Sequence, residues 1–182
     1  RLANALAQAE LLRREDGRIN ETEPFSLGYF VGDANTPNKI ESKDAKKYLS
    51  MSLQEIDKER VLEICPFCRN ETVHLRYDKG SHRLMHYCDN PECQANGPLP
   101  IYIVDQEIYR YLPSAIISTV DKLAIMGNNR NFRSILSGAT HRCEKHGYTS
   151  TGICLADKKC NAEFFETTEM YDPAPTLFIQ DE

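Results

Sequence analysis

Apolar positions recur every three to four residues at the start of the chain. Leu2, Ala3, Leu6, Ala9, Leu11 and Leu12 form one stripe, and Arg13, Arg14 and Arg18 follow it. This is the pattern of an amphipathic helix with cations near its C-terminal end. The pattern then changes to short continuous apolar runs, the signature of strands buried on both faces of a parallel sheet. Phe25 to Gly32, Ile101 to Val104 and Ala115 to Ser118 read as three such strands, and Leu177-Phe178-Ile179 as a last one. Between them, Ser42 is placed to cap a polar helix running through Leu53 and Ile56 to about Leu62. Asp105 is placed to cap a short helix to Tyr111. Thr119 and Asp121 open a helix carrying Leu123 and Ile125, which Gly127-Asn128-Asn129 breaks. Strands alternating with helices predict an α/β fold built on a parallel sheet.

Two segments interrupt this rhythm with cysteine, Cys65 to Cys93 and Cys143 to Cys160. The expected organisation is a parallel-sheet domain over 1–62, 99–138 and 171–182, interrupted by a small insert at 63–98 and a second at 139–170. No internal repeat and no low-complexity segment is present. Arg1 opens the chain inside a helical pattern and Asp181-Glu182 closes it at a strand exit, so a piece of a longer polypeptide is expected.

Hydrophobic residues make up 41 % of the 182, enough for a core. No apolar stretch approaches the roughly 20 residues of a membrane span, so no membrane partner is expected. A net charge of −5 gives no global reason to expect nucleic acid, but charge acts locally. Between Asn128 and Lys145 stand Arg130, Arg133, Arg142 and Lys145 against Glu144 alone. Arg130 and Arg133 flank Phe132, either a solvated face or a cation–aromatic contact for a single strand. Seven cysteines, an odd number without a secretory signal, point to metal in a reducing cytoplasm rather than to disulfides.

Cys65, Cys68, Cys88 and Cys93 are spaced C-x2-C-x19-C-x4-C. A two-residue gap lets one tight turn aim both thiolates at a single ion, and the second knuckle closes a tetrahedral four-sulfur shell. The spacer alternates like a hairpin, which is the layout of a zinc ribbon. Four thiolates on Zn²⁺ leave a charge of about −2, and Arg69, Arg76, Lys79 and Arg83 are near enough in sequence to offset part of it. Unlinked core cysteines or a redox pair are the alternatives. The second cluster, Cys143, His146, Cys154 and Cys160, is spaced C-x2-H-x7-C-x5-C and makes a second structural zinc shell. His141 competes with His146 for the fourth place. His74, His82 and His86 read as ribbon residues outside a shell that is already full.

The end of the chain carries different chemistry. Pro175 to Glu182 is a short apolar run ending in two carboxylates, the way P-loop NTPases present an acidic pair at a strand end. It is similar to the Walker B motif of DEAD/DEAH-type superfamily-2 helicases, and Ala115 to Ala124 resembles the strand–Ser/Thr–helix motif that precedes it. A finer resemblance is to the large helicase-like subunit of the DISARM anti-phage system. It runs through Leu6 to Arg14, Pro24-Phe25 with Leu27-Gly28, Thr36-Pro37-Asn38, the cysteine ribbon, Glu107 to Pro113 and Val120 to Ala124. Cys143 with His146-Gly147-Tyr148, and Phe178 to Glu182, complete it.

The resemblance implies a RecA-like domain in which Asp181 holds Mg²⁺ and Glu182 polarises the water that attacks ATP. It implies that Ser118 and Thr119 bond a nucleic-acid phosphate, and that Gly28 and Gly32 admit a sugar-phosphate backbone. Local roles compete with these: an N-cap for Ser118 and Thr119, turns for the glycines, a polar strand exit for the acidic pair. No G-x-x-x-x-G-K-[ST] motif lies in the 182 residues, so the chain by itself is not expected to hydrolyse ATP. The leading expectation is the central part of an ATP-driven DNA helicase or translocase, cytoplasmic, partnered by DNA and by another subunit of a defence complex. The alternative is a zinc-dependent nucleic-acid- or protein-binding module without ATPase chemistry. A zinc hydrolase fits least, because neither cluster pairs its ligands with a general base.

Overall fold

The structure is a computed structural model that describes residues 1–31, 36–40, 43–95, 97–125, 128–136, 139–167 and 179. The helix expected at the start is α1 (Leu2–Glu15). Its arginines do not face solvent freely. Arg13 forks onto the buried Glu10 carboxylate at 2.7 and 2.8 Å, and its other amino group takes the carbonyls of Asn20 and Thr22. Arg14 bridges Glu10 to the carbonyl of Gln94. Arg13 beside it, with help from Arg14, holds the Glu10 carboxyl down at about 2 against the opposing effect of burial.

Three strands form a parallel sheet in the order β4-β1-β5: β1 (Leu27–Phe30), β4 (Ile101–Tyr102) and β5 (Ala115–Ser118). Leu27 pairs with Ile101 on one side, and Gly28 with Ile116 and Phe30 with Ser118 on the other. The chain is therefore α/β with a parallel sheet, as the short apolar runs predict. Gly28 sits where a β-carbon would meet Pro113 Cγ at 2.8 Å and Ile108 Cδ1 at 3.3 Å, so its missing side chain admits the chain's own helix α4 (Asp105–Tyr111) and the turn after it. That space is filled from within the chain.

The helix expected from Ser42 to about Leu62 is instead two helices, α2 (Ala45–Ser50) and α3 (Leu53–Ile56), followed by a 3₁₀ turn at Asp57–Glu59. Met51 is extended, and Ser52 begins afresh with a full capping box. Its hydroxyl accepts from the Glu55 N–H, while the Glu55 carboxylate accepts from the Ser52 N–H at 2.8 Å. The reciprocal bonds satisfy two orphan donors and outweigh helix continuity. Ser42 and Gly127 lie outside the described residues.

Asp105 does not cap α4. Val104 holds the cap position without a side-chain bond, and the Asp105 carboxylate takes Lys122 Nζ at 2.6 Å from α5 (Val120–Ile125).

The cysteine ribbon is packed into the sheet. Its hairpin, β2 (Val73–Asp78) with β3 (Arg83–Cys88), contributes Val73, Leu75 and Leu84 to one buried cluster with Leu27, Ile101, Ile103 and Val104, and α1 adds Ala7. On the other side of the sheet Phe30, Ile108, Tyr109 and Phe132 form a second cluster, with Phe30 edge-on to Tyr109 at 5.9 Å. A small antiparallel sheet, β7-β6-β8, closes the described fold: β6 (His141–Cys143), β7 (Gly147–Thr149) and β8 (Phe164–Glu166). Among the described residues no helix is long and apolar enough to cross a membrane.

The buried Glu10 anchor gives the first prediction. Glu10→Ala leaves the Arg13 guanidinium buried without its carboxylate, and unfolding by urea should show a loss of about 3–5 kcal/mol.

Candidate metal centres

All seven cysteines are free thiols and fall into two groups, which accounts for their odd number. In the first, the knuckle Cys65-Pro66-Phe67-Cys68 closes on itself: Arg69 N–H donates to the Cys65 carbonyl and Cys65 N–H to that of Asn70, each at 2.9 Å. The turn places Arg69 at φ +66. The hairpin brings Cys88 to the same end, opposite Val73, and Cys93 follows on the turn after it. Cys65 Sγ and Cys93 Sγ lie 3.6 Å apart, as do Cys68 Sγ and Cys88 Sγ, and all four sulfurs fall within 4.8 Å of one another. A tetrahedron with zinc–sulfur bonds of about 2.3 Å has sulfur–sulfur edges of about 3.8 Å, so the donor set fits zinc.

The surroundings divide the thiols. Burial pushes Cys65 up to about 12. Burial also opposes ionisation of Cys68, but the Asn90 side chain and the Asn70 backbone outweigh it and bring that thiol down to about 6. A dication here would displace the remaining protons, because the thiolate is the ligand. Of the basic residues expected to offset the shell, Arg69 stays beside it as an exposed residue of the knuckle, and the other three lie elsewhere. Arg76 pairs with Asp89 and lies over the Tyr87 ring, Arg83 lies against the rings of Tyr102 and Tyr111, and Lys79 is exposed at the far tip of the hairpin.

In the second group β6 delivers Cys143, the turn into β7 delivers His146, and the loop beyond delivers Cys154 and Cys160. Cys143 Sγ stands 3.8 Å from Cys160 Sγ, and His146 Nδ1 stands 3.3 Å from both Cys154 Sγ and Cys160 Sγ. The edges fit a zinc tetrahedron with one nitrogen, for which about 3.6 Å is expected. The choice of histidine is settled by position. His141 bonds Thr140 Oγ1 and faces Gly152, outside the cluster, while His146 is buried within it. Burial, reinforced by the Arg110 charge, lowers the His146 pKa and favours neutral imidazole. Its Nε2 lies 3.2 Å from the Gly80 carbonyl, which only accepts. Nε2 therefore carries the proton, and the Nδ1 lone pair is left for a metal.

What holds the two groups in place was not foreseen from the sequence. Arg110 on α4, 1 % exposed, donates from Nε to the His146 carbonyl and from Nη2 to the Ser81 carbonyl, both at 2.7 Å. Glu107, one turn back, accepts the Leu84 N–H at 2.8 Å and faces Arg83. Burial pushes the Glu107 carboxyl up to about 7, with Arg83 working against it. Gln106 donates to the Leu155 carbonyl. The only signal was Glu107 and Arg110 three apart in a short helix, with Ile108, Tyr109 and Tyr111 between and beside them.

The nucleic-acid candidates form no comparable cluster. Ser118 and Thr119 stand at the C-terminal end of β5, but the Thr119 N–H donates to the Phe30 carbonyl at 3.3 Å, and the Ser118 hydroxyl donates to the Thr119 carbonyl. Thr119 also accepts the first bond of α5, from Leu123 N–H. Arg130 and Arg133 are exposed on a 3₁₀ turn, while Phe132 between them is buried against Phe30 and Tyr109 and cannot stack on a base. Gly32, Asp181, Glu182 and, apart from the exposed Ile179, the strand expected over 171–182 lie outside the described residues.

No family model matches the sequence. The chain is similar along its whole length to the DISARM protein DrmA of Bacillus paralicheniformis, 29 % identical over 196 residues, which take in 100 % of this chain and 17 % of that protein. The chain thus spans about a sixth of the relative it matches, and the homology supports a DISARM-related origin.

Two outcomes follow. Zinc measured by inductively coupled plasma mass spectrometry should give about two ions per chain, about one in Cys88→Ser and in His146→Ala, and two in His141→Ala. Gly147, at φ +85, sits where a β-carbon would collide with the Arg110 carbonyl oxygen. Gly147→Ala should therefore cost at least about 1–3 kcal/mol in thermal or urea unfolding.

Proposed function

We propose that the chain is the central part of the first RecA-like domain of a superfamily-2, DEAD/DEAH-type DNA helicase or translocase acting in defence against phage, with two structural zinc modules. The observation that carries the reading is the strand–Ser118-Thr119–helix unit at the C-terminal edge of a parallel sheet, in a chain similar throughout to a DISARM protein. In open α/β sheets ligands bind outside the carboxyl ends of the strands. β1 and β5 run side by side, so their exits lie together, and Thr119 is exposed there. In this reading ATP binds at a P-loop elsewhere in the longer protein, Asp181 holds Mg²⁺ and Glu182 polarises the attacking water. Ser118 and Thr119 offer hydroxyls to a phosphate, and Arg130 and Arg133 add sequence-independent charge. Contact through phosphates makes the grip strongly salt-dependent.

Both metal shells have four protein ligands and no open position, so the metals serve architecture and not hydrolysis. The exposed face of the ribbon then serves DNA or a partner subunit of the defence complex. A zinc-dependent binding module without ATPase chemistry is the second reading. It draws on the completeness of both shells beside candidate DNA contacts that are scattered.

The deciding experiment is ATP hydrolysis by the full-length protein, with and without single-stranded DNA, for wild type and Glu182→Gln. DNA-stimulated turnover in the wild type, lost by about 100-fold or more in the variant with nucleotide binding retained, is expected. Absence of turnover in the wild type with every nucleic acid tried would leave the binding module.

A further inference from the structure

We propose that the two metal sites are energetically coupled through the tip of the β2–β3 hairpin, with Arg110 as the positioning residue, so that the three-cysteine site binds metal tightly only when the four-cysteine ribbon is folded. This rests on the reading of both clusters as metal sites. The hairpin has its cysteines at one end and its tip at the other, and the tip is built into the second site. The Gly80 carbonyl takes the Nε2–H of His146, and the His82 ring lies 5.9 Å from the His146 ring. The Ser81 carbonyl and the His146 carbonyl share one buried guanidinium. Glu107 holds the hairpin a few residues further on, through Leu84 N–H.

The consequence is chemical. An imidazole that ligates through Nδ1 needs its proton on Nε2 and its ring held in plane with the ion. An acceptor behind the ring does both, and loss of such acceptors typically weakens metal binding about 10–100-fold. Here the acceptor is a main-chain carbonyl in a two-stranded hairpin. Such a hairpin is marginal by itself, and a ribbon folds with its metal. A metal at the Cys65–Cys93 site, by ordering the hairpin, therefore places Gly80 for a metal at the Cys143–Cys160 site. Coupling of this kind is reciprocal.

Cobalt(II) alone is the probe, because four-sulfur and three-sulfur–one-nitrogen shells have distinct visible spectra. In the wild type the first equivalent should develop the four-sulfur spectrum and the second the mixed one. In Cys68→Ser/Cys88→Ser the affinity of the remaining site should fall by about 10–100-fold. In Arg110→Met both spectra should appear at saturation, with the mixed site weakened to a similar degree and its bands displaced while the four-sulfur bands stay. The ribbon lesion should then cost little more in the Arg110→Met background than Arg110→Met alone. A ribbon-disabled chain that fills its mixed site with wild-type affinity, or additive losses in the combined variant, would overturn the coupling. If the combined variant does not fold, the order of filling in the wild type decides: a mixed spectrum at the first equivalent sinks the proposal. Uptake of fewer than two cobalt ions by the wild type would instead overturn the metal reading beneath it.

Discussion

A guanidinium cannot be buried without partners, and the fold is arranged around that requirement at Arg110. Leaving a charged group dry costs several kcal/mol unless its donors are satisfied. Arg110 meets most of the requirement with carbonyls from two segments far apart in sequence, Ser81 in the ribbon and His146 in the second cysteine cluster, while its buried Nη1 has no partner among the described residues. A single interaction thereby fixes three things: the distance of α4 from the hairpin, the seat of β7 against α4, and the plane of a candidate metal ligand. Gly147 follows of necessity, since the Arg110 carbonyl occupies the place its side chain would take. The remaining residues of α4 are spent in the same way. Gln106 holds the loop before Cys160, Glu107 the hairpin, Ile108 and Tyr109 the sheet.

The sequence disclosed what is dictated locally and hid what is settled by packing. Two-residue gaps between cysteines force a shared ligand geometry, so the first shell was legible in full and the second nearly so. The second left His141 open only because both histidines fit its spacing. Short apolar runs disclosed the parallel strands, Ala115 to Ser118 to the residue, although Ile117 is exposed and the other three residues of that strand are only half-buried. The split at Met51 was legible in principle: Ser52 to Glu55 is a capping box, but the amphipathic stripe runs on through it and masks the break. The roles of Arg110, Gly28 and Phe132 were not legible. Each depends on a neighbour from a distant segment, and a phenylalanine between arginines reads alike whether it faces a base or Tyr109.

Two Cys/His clusters that could hold zinc invite a peripheral reading, as small inserts hung on a sheet. The packing argues against a loose attachment. Val73, Leu75 and Leu84 of the hairpin share one buried cluster with Leu27 and Ile101 of the sheet and with Ile103 just beyond β4, and Cys65 and Phe67 of the knuckle lie in that same cluster. α1 reaches across from the other side, with Arg14 on the Gln94 carbonyl and Ala7 in the core. Arg14 also lies over the Phe67 ring at 5.7 Å.

This reverses the usual dependence between a sheet and its inserts. Among the described residues β4 has two residues and β1 and β5 four each, too short a sheet to stand without cover. Its cover on one side is the ribbon, and its cover on the other is α4, held in turn by the second cluster. Removing metal would therefore act first on the modules and next on the strand ends, because β1 and β5 meet at Phe30 and Ser118, one bond from Thr119. Any ligand of that edge, phosphate or protein, would meet a surface whose shape depends on the two Cys/His clusters. A metal in either cluster would thus act on that edge from a distance, by holding the strands in register.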